Sequence, residues 1–173
     1  ILVLTALFII MLPKILNWLG WHPHFESKDY NLKGKNALII TTSHDTLGES
    51  EKATGVYSSE MTIPYYKFFD SGMTVDLASI KGGEIPVEPR SIKWPLATAA
   101  DRRALKDKDF QNKLNNSLIL EEVEIEKYDL IFMAGGWGAA YDLGQSEELG
   151  QKISKAYAEN KIIGSVCHGA LGF

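Results

Sequence analysis

Residues 164–172 read GSVCHGALG, and they place the single cysteine of the chain, Cys167, at the end of a short apolar run. The residues two positions away on either side, Ser165 and Gly169, are both small. A nucleophile at a sharp strand-to-helix turn has a strained backbone that leaves room only for small residues at these two positions. The stretch therefore predicts a nucleophile elbow, in which the amides of the following helix favour the thiolate of Cys167. A buried cysteine that packs as a small apolar side chain is the alternative.

Outward from this turn, short apolar runs alternate with amphipathic stretches. The runs are rich in Ile, Leu and Val, as is typical of strands buried on both faces, and helices are predicted between them. This alternation predicts an α/β fold with a doubly wound, mostly parallel sheet of the flavodoxin-like or Rossmann-like kind. The predicted strands cover residues 37–42, 74–79, 129–134 and 161–166, and the predicted helices cover residues 59–71 and 146–160.

One long segment, residues 80–126, interrupts the alternation. Its first half contains Pro86, Pro89 and Pro95, and prolines disfavour central strands. We expect an insertion rather than part of the sheet, with a solvated helix over residues 101–116.

Composition limits the classes of partner. The chain has 173 residues, of which 45% are hydrophobic, enough for one domain and a short extension. A net charge of -4 with no basic block argues against a nucleic-acid partner. One cysteine excludes an intrachain disulfide and a multi-cysteine zinc site, and we expect no metal or cofactor.

The N-terminal residues are apolar. Residues 1–12 read ILVLTALFIIML, and a continuation after Lys14 reaches the roughly 20 residues that a membrane span needs. We therefore predict a membrane anchor over residues 1–21, although Lys14 in mid-segment argues against it. A cleaved secretory signal and a helix that packs on protein are the alternatives.

The rest of the chain divides into a polar linker over residues 22–34 and an α/β domain over residues 35–173. The sequence begins with Ile1 rather than Met, and it ends at Phe173, six residues after Cys167. We expect an incomplete domain, truncated at its C-terminus.

A second glycine cluster follows the third predicted strand. Residues 134–143 read AGGWGAAYDL, and the amides near Gly135 and Gly136 are candidates for an oxyanion hole at the carboxyl edge of the sheet. A dinucleotide-binding loop is the competing interpretation, but the Gly-x-Gly-x-x-Gly spacing is not met.

Two further residues are candidates for the site. His168 follows Cys167 directly, so its ring is expected to reach the sulfur only where the chain folds back; a surface or core histidine is the alternative. Glu60 begins the first predicted crossover helix, near the same edge of the sheet, where a carboxyl can exchange a proton with the cysteine. Because acids favour first turns of helices anyway, the residues alone favour the alternative that Glu60 is only a helix-start carboxylate.

Four motifs stand out: TGVYSSEMTIPYY at residues 54–66, the strand at residues 75–79, GGWG with Asp142 and Leu143, and VCHG at residues 166–169. Taken together, they resemble the ThiJ/PfpI family of the class I glutamine amidotransferase-like superfamily, and in particular its larger glyoxalase III-like and stress-chaperone-like members. The resemblance implies that Cys167 is the nucleophile, that His168 belongs to the active site and that Glu60 hydrogen-bonds the sulfur. It also implies that Gly135 and Gly136 are oxyanion-hole glycines and that an acidic partner of the histidine lies after Phe173.

The function implied by this resemblance is a cofactor-independent, cysteine-dependent enzyme acting on small reactive carbonyls, which converts a 2-oxoaldehyde into a 2-hydroxy acid. A cysteine amidase or peptidase and a stress-related chaperone or redox sensor are the alternatives. The implied partners are a small-molecule carbonyl substrate and a second copy in a homodimer. Residues 1–21 predict membrane association, with a cytoplasmic protein as the alternative.

Overall fold

The N-terminal unit contains one helix. A computed structural model describes residues 2–18 and 30–173, and the chain divides into two units, Ile1–Tyr30 and Asn31–Phe173. The helix α1 (Leu2–Trp18) has 17 residues, and no helix in these two ranges is long and apolar enough to cross a membrane. The membrane anchor predicted over residues 1–21 is therefore not supported, since a span needs about 20 residues. Residues 19–21 lie outside the described residues.

The predicted linker falls mostly on residues that the structure does not describe. Its last residues belong to the second unit, where the Leu32 amide donates to the Ser71 carbonyl at 2.7 Å. The division into linker and enzyme domain stays a prediction.

The second unit is built on a parallel sheet of five strands. In chain order the strands of this unit are β1 (Asn36–Thr41), β2 (Thr46–Leu47), β3 (Lys52–Ala53), β4 (Thr74–Ser79), β5 (Leu118–Ile119), β6 (Leu130–Met133) and β7 (Ile162–Ser165). The sheet has the order β5-β4-β1-β6-β7, and each neighbouring pair is parallel. The short strands β2 and β3 pair with each other in an antiparallel hairpin. The predicted doubly wound parallel fold is confirmed.

Five helices accompany the strands. They are α2 (Ser58–Asp70), α3 (Ala99–Ala104), α4 (Lys108–Asn115), α5 (Ala139–Asp142) and α6 (Glu147–Ala158).

The central strand β1 explains why the sheet is covered on both faces. Alternate side chains of a strand point to opposite faces. Leu38 and Ile40 accordingly enter one buried cluster, which includes residues of α6, whereas Ala37 and Ile39 enter another, which includes residues of α2 and α4. All four side chains are fully buried. The strand therefore has no polar face, and the continuous apolar run of the sequence predicted the strand correctly.

Two expectations for residues 80–126 were wrong. This segment is not wholly an insertion, because β5 pairs with the end of β4 through Ala78 with Leu118 and Ser79 with Ile119. Two residues are too few to show a strand pattern. The single solvated helix expected over residues 101–116 is two helices, α3 and α4, which residues 105–107 separate, and Phe110 of α4 is buried in the core.

The order of the strands places a crevice between β1 and β6. The chain runs from β1 outward to β4 and β5, then returns to β6 and runs outward to β7. In open α/β sheets, ligand sites form at the carboxyl ends of the strands where the order reverses in this way. The chain after β1 leads to α2, and the chain after β6 carries the glycine cluster, so both meet at this point.

Candidate active site

Cys167 lies at a strained turn immediately after β7. Its φ of 53° is in the left-handed region, which a residue with a Cβ rarely adopts. A 3₁₀ helix, Cys167–Gly172, follows in place of the expected α-helix. The cysteine is exposed, which excludes the alternative of a buried packing residue. The turn also lies close to β6, because a Cβ on Gly169 would come within 2.2 Å of the Met133 carbonyl oxygen.

The left-handed turn brings two adjacent side chains together. The Nδ1 atom of His168 lies 3.4 Å from the Sγ atom of Cys167, within the range of a weak hydrogen bond to sulfur. The sequence-based expectation was that neighbouring side chains diverge and meet only where the chain folds back. The left-handed backbone of Cys167 turns the chain back at this single residue. The ring of Trp137 contacts the imidazole, with 4.9 Å between the ring centroids.

Glu60 lies in the first turn of α2, and its carboxyl faces the elbow. Its Oε2 atom is buried, and no described residue gives it a hydrogen bond of normal geometry. Burial raises the pKa of Glu60 above its ordinary value; the nearby Cys167 thiol, the Gly135 amide and the charge of His168 oppose this shift without cancelling it. A carboxyl with a raised pKa is suited to carry a proton nearer to neutral pH.

Gly135 separates Glu60 from the elbow. A Cβ at this position would lie 2.6 Å from Glu60 Oε2, 2.7 Å from the His168 amide nitrogen and 2.8 Å from the Val166 carbonyl oxygen. Carbon atoms do not approach oxygen or nitrogen so closely without displacing them, so only glycine fits here. Glu60, Gly135 and His168 are therefore brought together in the structure, and their roles in a site stay a prediction.

Gly136 joins the same loop to the chain that leads into α2. Its φ is 105°, and a Cβ would come within 2.4 Å of both the Gly55 carbonyl oxygen and the Tyr57 amide nitrogen. The Tyr57 amide donates to the Gly135 carbonyl at 3.2 Å. These contacts give the glycine pair a packing role, and the oxyanion-hole role stays a prediction.

Sequence reasoning missed the backbone amide of His168. It lies beside Gly135, at the residue after the cysteine, and in nucleophile elbows the amide at that position is a usual oxyanion donor. The signal was therefore present in the VCHG motif.

Sequence reasoning also missed Asp101, which secures the first turn of α2. This carboxylate is 1% exposed and accepts hydrogen bonds from the hydroxyls of Ser58 at 2.5 Å and Thr62 at 2.7 Å. It also accepts from the amide and the hydroxyl of Thr98, each at 2.7 Å. Because Ser58 and Thr62 flank Glu60 in α2, Asp101 holds the turn that presents the site carboxyl.

Within the described ranges, no group of three or more His, Cys, Asp or Glu side chains is placed to hold a metal ion.

Known proteins share this arrangement of elements. Residues 52–172 match the DJ-1/PfpI family. Glutathione-independent glyoxalase hsp3102 of Schizosaccharomyces pombe is 32% identical over 140 residues, which cover 79% of this chain and 58% of that protein. Glutathione-independent glyoxalase HSP31 of Saccharomyces cerevisiae is 28% identical over 138 residues, which cover 78% of this chain and 58% of that protein.

Solved structures agree on the fold. The Rapid Encystment Protein 24 KDa of Francisella tularensis is 39% identical, with a TM-score of 0.75 over 80% of this chain and 60% of that one. Glyoxalase III from Candida albicans has a TM-score of 0.72 at 23% identity, over 80% of this chain and 59% of that one. The chain thus spans less than two thirds of the length of these relatives. The match over residues 52–172, on the fold and elbow described above, shows that this chain belongs to the DJ-1/PfpI family.

Proposed function

We propose that the protein is a cysteine-dependent, glutathione-independent glyoxalase, which converts a 2-oxoaldehyde such as methylglyoxal, with one water, into a 2-hydroxy acid. The observation that carries the proposal is the exposed sulfur of Cys167 beside the imidazole of His168 and the half-buried Glu60, whose Oε2 atom is buried. The names of the S. pombe and S. cerevisiae relatives support the same reaction. In this proposal residues 35–173 form the part of the enzyme that carries the cysteine.

The reaction begins with addition of the sulfur to the aldehyde. The thiol of Cys167 gives its proton to the His168 imidazole, 3.4 Å away, and the thiolate forms a bond to the aldehyde carbon. The imidazolium of His168 returns this proton to the aldehyde oxygen, and the product is a hemithioacetal. The amides of Gly135, Gly136 and His168 are the donors proposed to stabilise charge on this oxygen.

Glu60 then moves a proton between the two carbons. As a carboxylate it removes the proton on the former aldehyde carbon, and the electron pair forms an enediolate with the adjacent carbonyl. The proton of the hemithioacetal hydroxyl passes to the neighbouring enediolate oxygen. It returns the proton to that neighbouring carbon, which leaves a thioester of the 2-hydroxy acid. Water hydrolyses the thioester, releases the acid and restores the Cys167 thiol. A buried carboxyl with a raised pKa suits both the removal and the return of the proton.

Conversion of methylglyoxal to lactate without glutathione tests this proposal. Cys167→Ala is expected to lower kcat/KM by at least about 1000-fold, because the covalent route is lost. Ser154→Ala, an exposed change on α6, is the matched control and should leave the rate unchanged. Undiminished lactate formation by Cys167→Ala would show that the proposal is wrong.

Acyl transfer is the second candidate, and one contact favours it. The His168 amide beside Gly135 lies next to the nucleophile, which is where cysteine and serine hydrolases place an oxyanion donor. Incubation with an activated ester, followed by mass spectrometry of the intact chain, measures this activity. A Cys167-dependent acyl adduct, without lactate formation from methylglyoxal, would favour an amidase or peptidase.

We also infer a homodimer, on the strength of the family resemblance. Light scattering on the eluting peak of a gel-filtration column measures the mass directly. A mass near that of one 19.2 kDa chain across a hundredfold range of concentration would overturn this inference.

A further inference from the structure

The indole of Trp137 lies against the imidazole of His168. The ring centroids are 4.9 Å apart and the planes are inclined by 38°, which is the separation at which aromatic rings attract each other. Trp137 is nevertheless 53% exposed. Burial in the core does not explain an indole that is half exposed and lies against the imidazole of His168.

The backbone on both sides of Trp137 is held rigidly. Gly136 packs against the chain at residues 55–57, with no space for a Cβ. The amide of Gly138 donates to the Gly55 carbonyl at 3.2 Å, and a Cβ on Gly138 would lie 2.6 Å from the His44 carbonyl oxygen. The indole therefore projects from a segment that cannot shift easily, and it offers the imidazole a firm surface.

The imidazole itself has few other restraints. Its Nδ1 atom lies 3.4 Å from Cys167 Sγ, and no further hydrogen bond of the ring is found among the residues that the structure describes. A partly exposed imidazole with one weak hydrogen bond can rotate away from the sulfur. The contact with Trp137 restricts that rotation.

We propose that Trp137 is a positioning residue that holds the His168 imidazole beside the sulfur of Cys167, where the ring can accept the proton of the thiol. The proposal deepens the proposed glyoxalase function by adding a residue that acts through His168. Its test does not depend on turnover, because the reactivity of the sulfur is measured directly.

The rate of alkylation by iodoacetamide is the measurement, since the chain has a single cysteine and the thiolate is the reactive form. At pH 7, Trp137→Ala is expected to react about fivefold to tenfold more slowly than the parent chain. Trp137→Phe keeps an aromatic ring against the imidazole, and its alkylation rate should stay within about twofold of that of the parent chain. Trp94→Ala removes an indole that is 90% exposed and serves as the matched control, with no change expected.

A double-mutant cycle shows whether Trp137 acts through the imidazole. In a His168→Ala background, Trp137→Ala should cause no further loss, because the group that it positions is absent. A further fivefold loss in that background would overturn the proposal, as would an unchanged rate in Trp137→Ala alone.

The pH dependence separates positioning from simple access to the sulfur. Above a pH of about 10.5 a thiol is ionised without assistance, so the rates of Trp137→Ala and the parent chain should converge. Glu60 is the other titratable group at the sulfur, and it is ionised in both proteins at that pH. A tenfold difference that persists there would mean that the indole controls access, and the proposal would be wrong.

Turnover of methylglyoxal gives a separate outcome. If lactate is formed, Trp137→Ala should lower kcat with KM within about twofold; a rise in KM alone would identify a substrate-contacting residue and contradict positioning. If no lactate is formed while the alkylation pattern holds, the proposed glyoxalase function fails and the role of Trp137 stands.

Discussion

The carboxyl of Glu60 occupies the space that a side chain on Gly135 would need. The Oε2 atom lies 2.6 Å from the position of a Cβ on that glycine, although the two residues belong to α2 and to the loop after β6. The elbow closes the same space from the other side, through the His168 amide and the Val166 carbonyl. The absent side chain of Gly135 thus allows the Glu60 carboxyl to lie beside the backbone of the elbow.

Gly135→Ala should disrupt this meeting. The methyl group would contact Glu60 and two backbone atoms of the elbow, so at least one of them must shift. We expect a loss of about 1–3 kcal/mol in the free energy of unfolding and a fall in kcat/KM of roughly 100-fold, as follows from a displacement near 1 Å at a reacting group. Urea denaturation and the methylglyoxal assay measure the two effects.

Gly150→Ala is the matched control for this change. Gly150 lies within α6, with nothing within 4 Å of its Cβ position, and alanine in a helix interior is about 0.5–1 kcal/mol more stable than glycine. The control should therefore gain stability and keep its activity. Equal behaviour of the two variants would contradict the steric role of Gly135.

Glu60→Gln should stabilise the chain at neutral pH while it lowers activity. Burial raises the pKa of Glu60, so the folded state binds this proton more tightly than the unfolded state does. The stability of the parent chain therefore falls as pH rises from the ordinary carboxyl pKa through the raised one, and it stays lower above that window. Glutamine carries no charge and removes this dependence. Loss of the proton carrier should lower kcat about 100-fold to 10 000-fold.

Thermal unfolding from pH 4 to pH 8 measures the stability of Glu60→Gln relative to the parent chain. This difference should increase as the pH rises. Glu121→Gln, at an exposed position, provides the control curve and should follow the parent chain. A Glu60→Gln variant that is less stable than the parent at pH 7 would contradict the interpretation.

The sequence predicted the elements whose signal is local. β1 is a continuous run of apolar residues buried on both faces, and Cys167 stands in a motif whose small neighbours reflect the tight turn itself. The sequence did not predict how close His168 comes to the sulfur, because that distance depends on the φ of 53° at Cys167. Adjacent side chains diverge in ordinary backbone conformations, so the motif alone favoured the wrong geometry.

Asp101 shows a different limit. Thr98 and Asp101 form a capping box at the start of α3, and such a pair occurs on exposed and buried helices alike. Its second set of partners, Ser58 and Thr62, lies about forty residues earlier in the chain. Contacts of this separation depend on tertiary packing, and a single sequence carries no periodic signal for them.

Asp101→Asn should destabilise the chain strongly. Hydrogen bonds from Ser58, Thr98 and Thr62 outweigh burial and hold the pKa of Asp101 below its ordinary value. Each carboxylate oxygen of Asp101 accepts two of the four hydrogen bonds, and asparagine replaces one of these oxygens with an NH₂ group that cannot accept them. We therefore expect a loss of about 2–3 kcal/mol in the free energy of unfolding at pH 7. Because the pKa is depressed, the contribution of Asp101 is present above the ordinary carboxyl pKa and is lost as the pH falls through the lowered one.

The difference in the free energy of unfolding between Asp101→Asn and the parent chain should therefore be smaller in acid. Denaturant titrations at pH 7 and pH 3 measure this difference. Asp109→Asn, an exposed change in the first turn of α4, should stay within about 0.5 kcal/mol of the parent. An Asp101→Asn variant as stable as this control would show that the buried network does not secure α2.

Cys167→Gly and Cys167→Ala should differ in stability although both lack the sulfur. The φ of 53° at this position strains any residue with a Cβ by about 1–2 kcal/mol, and glycine is free of that strain but loses more entropy on folding. Cys167→Gly is therefore expected to be about 1 kcal/mol more stable than Cys167→Ala, while both are inactive. Ala170→Gly, at an exposed position in the following turn with ordinary φ, should show the opposite sign and lose about 0.5–1 kcal/mol. If Cys167→Gly were less stable than Cys167→Ala, as Ala170→Gly is expected to be less stable than the parent chain, the backbone of the elbow would not be strained at Cys167.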